Sequence, residues 1–313
     1  MTYISYEHKI KLGDSSDFHL FYYLKEKKLK DTVLVVDIIL STTMTNVPPT
    51  GPDGCRLWIK TVQAGAIRTL FEVLKEIVHD SNMIFDEHGA KLVCMDGSRC
   101  ALIYLRLRAE SFEEYYCQGK VRCGLNMASM HKLMRTTGTH DSIELYITHD
   151  ETNVLGIRIS NTDKNSQTNF KLKLLDVDGQ DLNVPDVEFE NVATLPSTDL
   201  QRIVRDMTNL SDSMTIKSDG KTLTLSCEGD FASQETVVGG DGGDGEGVLS
   251  ITSTTEEPII GKYSLKYLSL FCRASSLSNT LELYFKRNYP LILKFNVAGL
   301  GELRFVVAPQ IDA

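Results

Sequence analysis

The chain has 313 residues, of which 42% are hydrophobic and 24% charged, and its formal net charge is −9. This composition is ordinary for a folded chain long enough for two domains, and it excludes a disordered protein of low hydrophobicity. No run approaches the roughly 18 apolar residues of a membrane-spanning helix, and the negative total argues against a uniformly basic nucleic-acid-binding protein.

The first 55 residues have no counterpart later in the chain. They include a strand-like run at 32–40 and a turn-rich stretch at 48–54. We interpret residues 1–55 as an N-terminal extension whose role the sequence leaves open.

Four later segments have the apolar spacing of amphipathic helices. Gly138 is predicted to end the second helix, and Ser197 to cap the third. The apolar positions are, in chain order, Ile67, Leu70, Phe71 and Leu74; Met127, Met130, Leu133 and Met134; Leu200, Ile203, Val204 and Met207; and Leu265, Leu268, Phe271 and Cys272.

Most of the remaining sequence reads as short strands rich in Val, Ile, Leu, Phe and Tyr, separated by Gly, Asp, Asn and Ser turns. Two helices with many strands, followed by the same again, predict an α+β fold with a meander-like sheet in each half. Examples of predicted strands are 91–95, 100–106, 143–147, 154–160, 170–174, 222–227, 248–252, 291–297 and 302–307.

One layout occurs twice. In both 126–147 and 262–285, an amphipathic pattern and a small polar turn precede a similar strand, IELYI in the first copy and LELYF in the second. A basic residue, Arg135 or Arg273, lies eight positions before each strand. A duplicated unit gives pseudo-symmetry, which favours a closed assembly with equivalent surfaces around an axis.

Two segments stand apart from this repeat. Residues 175–190 are acidic but carry spaced apolar residues, which predicts a surface strap with a hydrophobic edge. Residues 239–247 read GGDGGDGEG. A single copy of this glycine–aspartate pattern favours an acidic hairpin loop over a calcium-binding repeat.

Each predicted helix carries two basic residues away from its apolar face. A solvated outer face would explain one such pair. Four pairs in duplicated positions on an acidic protein instead favour a surface that attracts phosphates without reading bases. The pairs are Arg68 and Lys75, Lys132 and Arg135, Arg202 and Arg205, and Lys266 and Arg273.

No pattern supports catalysis or metal binding. The seven cysteines form no CxxC pair, which argues against zinc and a disulfide framework and favours small buried thiols. The seven histidines lack HExxH spacing and are predicted to lie on the surface, and there is no P-loop, GxGxxG or GxSxG motif. We therefore expect a protein that is not an enzyme and that needs no cofactor or metal.

Residues 56–311 resemble the proliferating cell nuclear antigen family of DNA sliding clamps. The most specific stretches are 92–96, 124–127, 174–178, 195–206 and 307–309, and their order follows the family. The resemblance implies a ring of three chains, each with two similar clamp domains, whose helices line a pore and whose sheets lie outside. It also implies boundaries at 56–174 for the first domain, 175–190 for the connector and 191–313 for the second domain.

The resemblance further implies the roles of individual residues. Contacts to the DNA backbone fall to Arg68, Lys75, Lys132, Arg135, Arg202, Arg205, Lys266 and Arg273. The subunit joint pairs edge strands 167–174 and 232–238, with Phe170, Leu172, Leu174, Thr236 and Val238. A pocket beside the connector binds a short partner motif through Met95, Arg99, Leu182, Val184, Phe189, Pro290, Val306, Val307, Ala308 and Pro309.

Some positions depart from the family pattern. Arg99 stands where the family often has His, and Val306 replaces a common aromatic residue, so the preferred partner motif is expected to differ. Lys217 lies only near the position of the family's modified lysine, and that role cannot be transferred to it.

The implied function is a homotrimeric clamp that encircles duplex DNA and tethers DNA polymerase and other replication and repair proteins. A clamp loader would open it, in the nucleus or at a viral replication site. The alternative is a checkpoint-type or scaffold paralogue that binds partners without a general role in processivity. An enzyme such as a nuclease is a third class, against which the missing catalytic pattern argues.

Overall fold

The computed structural model of the chain describes residues 54–138, 140–178, 182, 187–239, 250–255 and 257–310. The predictions for residues 1–53, Val184 and residues 240–249 lie outside this set. The predicted helices are confirmed as α1 (Ala64–Ile77), α2 (Met127–Met134), α3 (Ser197–Thr208) and α4 (Leu265–Phe271), with 3-10 turns at Ala109–Ser111 and Cys272–Ser276. Within the described ranges, no helix is long and apolar enough to cross a membrane.

The described part of the first half contains nine strands. They are β1 (Cys55–Thr61), β2 (Asp80–Asp86), β3 (Gly89–Met95), β4 (Ala101–Arg108), β5 (Glu114–Cys117), β6 (Val121–Asn126), β7 (Asp141–Thr148), β8 (Val154–Asn161) and β9 (Ser166–Lys173).

The described part of the second half repeats this order with nine more. They are β10 (Asn191–Pro196), β11 (Ser213–Ser218), β12 (Thr222–Glu228), β13 (Ser233–Gly239), β14 (Ser250–Ser253), β15 (Ile259–Ser264), β16 (Thr280–Phe285), β17 (Leu291–Val297) and β18 (Gly301–Val307).

The strand pairing is the same in both halves. In the first half the orders are β5-β1-β7-β8-β9 and β6-β2-β3-β4, and in the second they are β14-β10-β16-β17-β18 and β15-β11-β12-β13. The predicted α+β class is confirmed, but the sheets are not confined to one half each, because β4 pairs with β18 and merges two of these groups into one nine-stranded sheet. Sequence alone could not show that β4 and β18 are the strands that join, since each alternates apolar and polar residues like its neighbours.

The apolar faces of the four helices are buried in a core that both halves share. Leu70, Leu74, Met127 and Leu265 are fully buried, and the inward positions of the strands complete the same cluster. The spacing at i, i+3, i+4 and i+7 therefore identified the buried helix faces correctly, because a helix over a sheet can hide only one stripe.

The two predicted helix ends are wrong in detail. Helix α2 ends at Met134, and the hydroxyl of Thr137 donates to the Met134 carbonyl. Gly138 lies beyond this turn, where its N–H donates to the Asp141 carboxylate. Ser197 is the first residue of α3, so the capping position belongs to Pro196, and the buried Ser197 hydroxyl has no hydrogen-bond partner in the described residues.

The seven cysteines are all free thiols. Four are buried, as predicted for small core residues, whereas Cys100 is exposed. The prediction that every histidine lies on the surface is wrong for His131, which α2 buries with its Nδ1 lacking a hydrogen-bond partner. Burial lowers the pKa of His131, because the charged imidazolium is poorly solvated there.

Candidate nucleic-acid interface and docking surface

The four helices form one continuous layer. Helix α1 contacts α2 on one side and the turn Cys272–Ser276 on the other, and α3 contacts both that turn and α4. Counting the residue after α2 and the turn after α4, this layer carries eight Lys and Arg residues and four carboxylates. A chain with a net charge of −9 thus has a locally positive helix layer.

The two basic residues of α1 are half-buried. The Arg68 guanidinium donates to the carbonyl oxygen of Thr137 at 3.0 Å, which ties α1 to the end of α2. The Lys75 ammonium lies 3.1 Å from the carboxylate of Glu76. Neither side chain is therefore a free cation.

The other helical cations reach solvent. Arg205 is the one with an acidic neighbour close by, since its Nε lies 3.7 Å from Asp206. The exposed cations on and directly after the helices are Lys132, Arg135, Arg202, Arg205 and Lys266. The predicted DNA contacts thus share one layer, on the side away from the core.

Arg273 does not lie on α4, as the sequence spacing predicted, but on the 3-10 turn that follows it. Its Nη1 is bonded to the carboxylate of Glu76 on α1, so the first and second halves meet at this ion pair. Glu76 also holds Lys75, and these interactions keep the pKa of Glu76 below its ordinary value, the hydrogen bond from Lys75 being the largest cause.

The halves are joined a second time behind the helices. Seven residues of β18 pair with β4, from Gly301 opposite Leu107 to Val307 opposite Ala101. At the end of this ladder the hydroxyl of Tyr267 on α4 donates to Asp96 at 2.6 Å. Ser98, in the same turn as Asp96, lies 2.7 Å from that hydroxyl.

Asp96 is held ionised by this contact. Burial alone would raise its pKa, but donors from Ser98, Tyr267 and the Ala101 N–H outweigh burial and bring the pKa well below the usual range. The carboxylate therefore acts as a fixed acceptor between a turn of the first half and a helix of the second.

Strands β9 and β13 each have one neighbour among the described strands and one open edge. The predicted joint residues lie on them or just beyond, and all five are half-buried: Phe170, Leu172, Leu174, Thr236 and Val238. Of these, the four hydrophobic residues pack on the core. Phe231, in the turn before β13, is 79% exposed and was not predicted.

An apolar row crosses the outer face of the nine-stranded sheet. Met95 is opposite Leu102, which is opposite Val306, and the row continues through Ile292 to Tyr284. Met95 is 42% exposed. Leu102, Ile292 and Tyr284 were missed by the sequence prediction, although each is an apolar residue at an outward position of its strand.

The connector begins and ends on this same face. The Leu175 N–H donates to the Gly124 carbonyl at 2.8 Å, and Gly124 is required there because a Cβ would lie 2.1 Å from the Leu175 oxygen. At the other end Phe189 packs against Tyr284 and Tyr289, with ring centroids 5.3 and 5.7 Å away. The predicted hydrophobic edge of the strap therefore meets the apolar row at Tyr284.

The remaining pocket residues differ in accessibility. Leu182, Pro290, Val306 and Pro309 are half-buried, and Ala308 and Arg99 are exposed. Arg99 has a φ of 59° in the turn between β3 and β4. Val307 is 1% exposed and belongs to the core, so its side chain is not part of the docking surface.

Within the described residues, no group of three or more His, Cys, Asp or Glu side chains is placed to hold a metal ion.

These features, two equivalent α+β units with one helix layer and a connector whose described ends lie on a shared sheet, define the class of two-domain DNA clamps. Residues 57–182 match the family described as "Proliferating cell nuclear antigen, N-terminal domain", and residues 183–310 match its C-terminal domain counterpart. The chain belongs to the proliferating cell nuclear antigen family.

Two curated proteins illustrate the similarity. The "Probable DNA polymerase sliding clamp 1" of Paramecium bursaria Chlorella virus 1 is 39% identical over 261 residues, covering 82% of this chain and 98% of that protein. The "Proliferating cell nuclear antigen" of Chaetomium thermophilum is 31% identical over 249 residues, covering 80% and 96%.

Proposed function

We propose that this protein is a homotrimeric sliding clamp that encircles duplex DNA and tethers a DNA polymerase and other proteins to it. The domain boundaries 56–174, 175–190 and 191–313 belong to this proposal. The observation that carries it is the internal joint, in which β4 of one unit pairs with β18 of the next. Family membership supplies the count of three chains.

The open edges repeat the strands of that joint. By their place in the pairing order, β9 is the equivalent of β18, and β13 is the equivalent of β4. Two chains can therefore join β9 to β13 in the way that one chain joins β18 to β4, and a joint of this kind propagates around a closed ring. Pairing would also remove two unprotected sheet edges.

The equivalence gives a register for the joint between chains. Within the chain Leu303 is opposite Leu105. The equivalent residues are Thr168 on β9 and Thr236 on β13, from the strand registers of each half. We therefore place Thr168 of one chain opposite Thr236 of the next.

The same equivalence between strands offers a reason for the exposure of the Phe231 ring. The turn after β3 meets Tyr267 of α4 inside the chain. The equivalent turn after β12 carries Phe231, and the residue equivalent to Tyr267, counted from the start of α2, is Ser129. An aromatic ring on the helix is thus replaced by one on the turn, and Phe231 would cover the small Ser129 of the neighbouring chain.

Sliding requires contacts that are attractive but independent of sequence. The helix layer offers arginine and lysine groups, and phosphate contacts of this kind position a duplex without reading its bases. A closed ring need not bind tightly, since topology retains it, and tethering raises a partner's effective concentration at the template.

Partners are proposed to dock at the apolar row beside the connector. Met95, Val306 and Tyr284 offer a shallow apolar surface, and Phe189 fixes one end of the strap against it. Such a surface accepts an aromatic or aliphatic anchor. Loading by a clamp loader, a role in repair and action in the nucleus or at a viral replication site remain predictions.

The decisive experiment combines assembly and DNA binding. Sedimentation equilibrium of the pure protein should give three chains per particle. Changing Arg202 and Arg205 to Ala should preserve the trimer and make the slope of log affinity for duplex DNA against log salt less negative, by about 0.9 for each phosphate that is no longer neutralised.

The matched control removes two cations elsewhere. Lys217 is exposed on β11 and Lys221 in the turn before β12, and neither belongs to the helix layer. Changing both to Ala should leave the salt slope near that of the unaltered protein. Equal effects of the two double variants, or a particle of one chain, would contradict the proposal.

A further inference from the structure

Glu76 lies among the cations proposed to face DNA. Its two carboxylate oxygens are used separately, with Oε1 3.1 Å from the Lys75 ammonium and Oε2 on the Arg273 guanidinium. The Glu76 side chain is 36% exposed, so water could solvate the carboxylate without either cation. One carboxylate thus pairs with two of the eight basic residues in the helix layer, and its single negative charge offsets one of their two positive charges.

Holding the halves together does not account for this carboxylate. The internal joint already has a ladder of seven paired residues and the contact between Asp96 and Tyr267. An ion pair whose arginine is 53% exposed adds little to such a joint, because solvent screens it and two flexible side chains must be ordered.

The equivalent position between chains lacks the carboxylate. Counting from the buried residues Leu74 and Met207, Glu76 of α1 corresponds to Asn209 after α3. Arg273 corresponds to Arg135, which is exposed and makes no ion pair within the described residues. Inside the chain, Arg273 therefore has a carboxylate partner. The equivalent Arg135, which would lie toward the neighbouring chain, has none among the described residues.

We infer that Glu76 is an internal competitor for the phosphate backbone, which weakens the hold of Lys75 and Arg273 on DNA. The inference rests on the proposed function of the helix layer. A phosphate that binds Nη1 of Arg273 displaces the carboxylate, and one that binds the other N–H groups lies next to its negative charge. Either way, Glu76 offsets part of the free energy that the new ion pair contributes. DNA contact is then concentrated on the residues near the joints between chains, Arg135 among them.

The test is Glu76→Gln in the full-length chain, with binding of a linear 30-base-pair duplex measured by fluorescence anisotropy over a series of salt concentrations. Glu72→Gln is the matched control. Glu72 is exposed on the same helix and makes no ion pair with Lys or Arg in the described residues. Both variants remove one negative charge per chain.

We expect Glu76→Gln to bind the duplex about threefold to tenfold more tightly at ~0.1 M salt, with a slope more negative by about 0.9 for each cation freed. Glu72→Gln should change affinity less. In an Arg273→Gln background the increase in affinity from Glu76→Gln should shrink, because one of its two partners is already gone.

Equal increases in affinity from Glu76→Gln and Glu72→Gln would overturn the inference and leave only a general charge effect. Weaker binding by Glu76→Gln, with a lower midpoint of thermal unfolding, would overturn it in favour of a structural tie. Failure of the proposed function is a separate result. In that case the unaltered protein would be monomeric, or replacement of Arg202 and Arg205 would leave its DNA binding unchanged.

Discussion

Strand β4 pairs with β18 over seven residues inside the chain, whereas the equivalent strands β13 and β9 each have a single neighbour among the described strands. The two regions share a backbone plan and differ in the groups that accompany it. The internal joint has a partly exposed polar contact, Asp96 with Tyr267, and an ion pair, Glu76 with Arg273. The open edges have Phe231, Asn209 and Ser129 at the corresponding places.

This difference fits the proposed assembly. A joint within a chain forms between segments that are already tethered, so polar groups can fix its geometry at little cost. A joint between chains would form from separate molecules, and burial of an exposed aromatic ring would be the stronger driving force. Three sets of substitutions test this difference between the joints, and their effects should decrease in the order Phe231, Thr168 with Thr236, and Asp96.

Phe231→Asp should break the joint between chains and leave the chain folded. Phe231 is 79% exposed in the single chain, so the change costs the fold little. In the assembly it would place a charge against the neighbouring helix. We expect the dissociation constant of the ring to rise about thirtyfold or more, which corresponds to ~2 kcal/mol for a central aromatic contact.

Sedimentation velocity over a dilution series measures that change, and the far-UV circular dichroism spectrum checks the fold. Ile260→Asp is the matched comparison, because Ile260 is 62% exposed but lies on β15, outside the proposed joint, and should leave the association unchanged. An unaltered association constant for Phe231→Asp would show that this turn does not meet another chain.

A pair of cysteines tests the register between chains. Thr168→Cys with Thr236→Cys should form cross-linked trimers with a short thiol-specific reagent, because directly opposed residues have Cβ atoms about 5 Å apart. Thr168→Cys with Val237→Cys is the off-register control, since successive residues of a strand face opposite sides. Each single variant reports the background from Cys100, which is exposed.

Cross-linking is read on a denaturing gel. Equal yields from the two pairs would mean that β9 and β13 do not meet in the register of the internal joint.

The smallest effect is the acid sensitivity of the internal joint. Hydrogen bonds depress the pKa of folded Asp96, so its stabilising contribution is complete above the unfolded carboxyl value of about 4. That contribution is lost progressively as pH falls from there through the folded pKa. Asp96→Asn should therefore show a flatter decline of unfolding free energy between about pH 4 and pH 2.

Urea unfolding at several pH values measures this slope. Asp199→Asn, at the start of α3, serves as the control. Identical pH dependence of Asp96→Asn and the unaltered protein would rule out a linkage through this contact.

The helices were predictable because each buries one stripe. Leu200, Ile203, Val204 and Met207 recur at helical spacing, and all four are buried. The α+β class followed from the short alternating strands between these helices, and the duplicated layout predicted the two equivalent units. Local sequence holds this information because it reports which face of each element meets the core.

The pairing of β4 with β18 could not be predicted in the same way. Leu105 and Leu303 are inward residues of ordinary alternating strands, and nothing near either one specifies that they pair 198 positions apart. The ion pair of Glu76 with Arg273 depends on that pairing, and so does the apolar row through Leu102 and Ile292. Contacts made by tertiary arrangement leave no periodic signal in either segment.

The shared nine-stranded sheet has a mechanical consequence. The two units that it joins are also linked covalently through the segment between β9 and β10, so they stay connected when the hydrogen bonds between β4 and β18 break. The proposed contact between β9 and β13 of separate chains would have no such link. In the proposed ring, a force that widens the pore would therefore separate the subunits before it separated the two units of one chain.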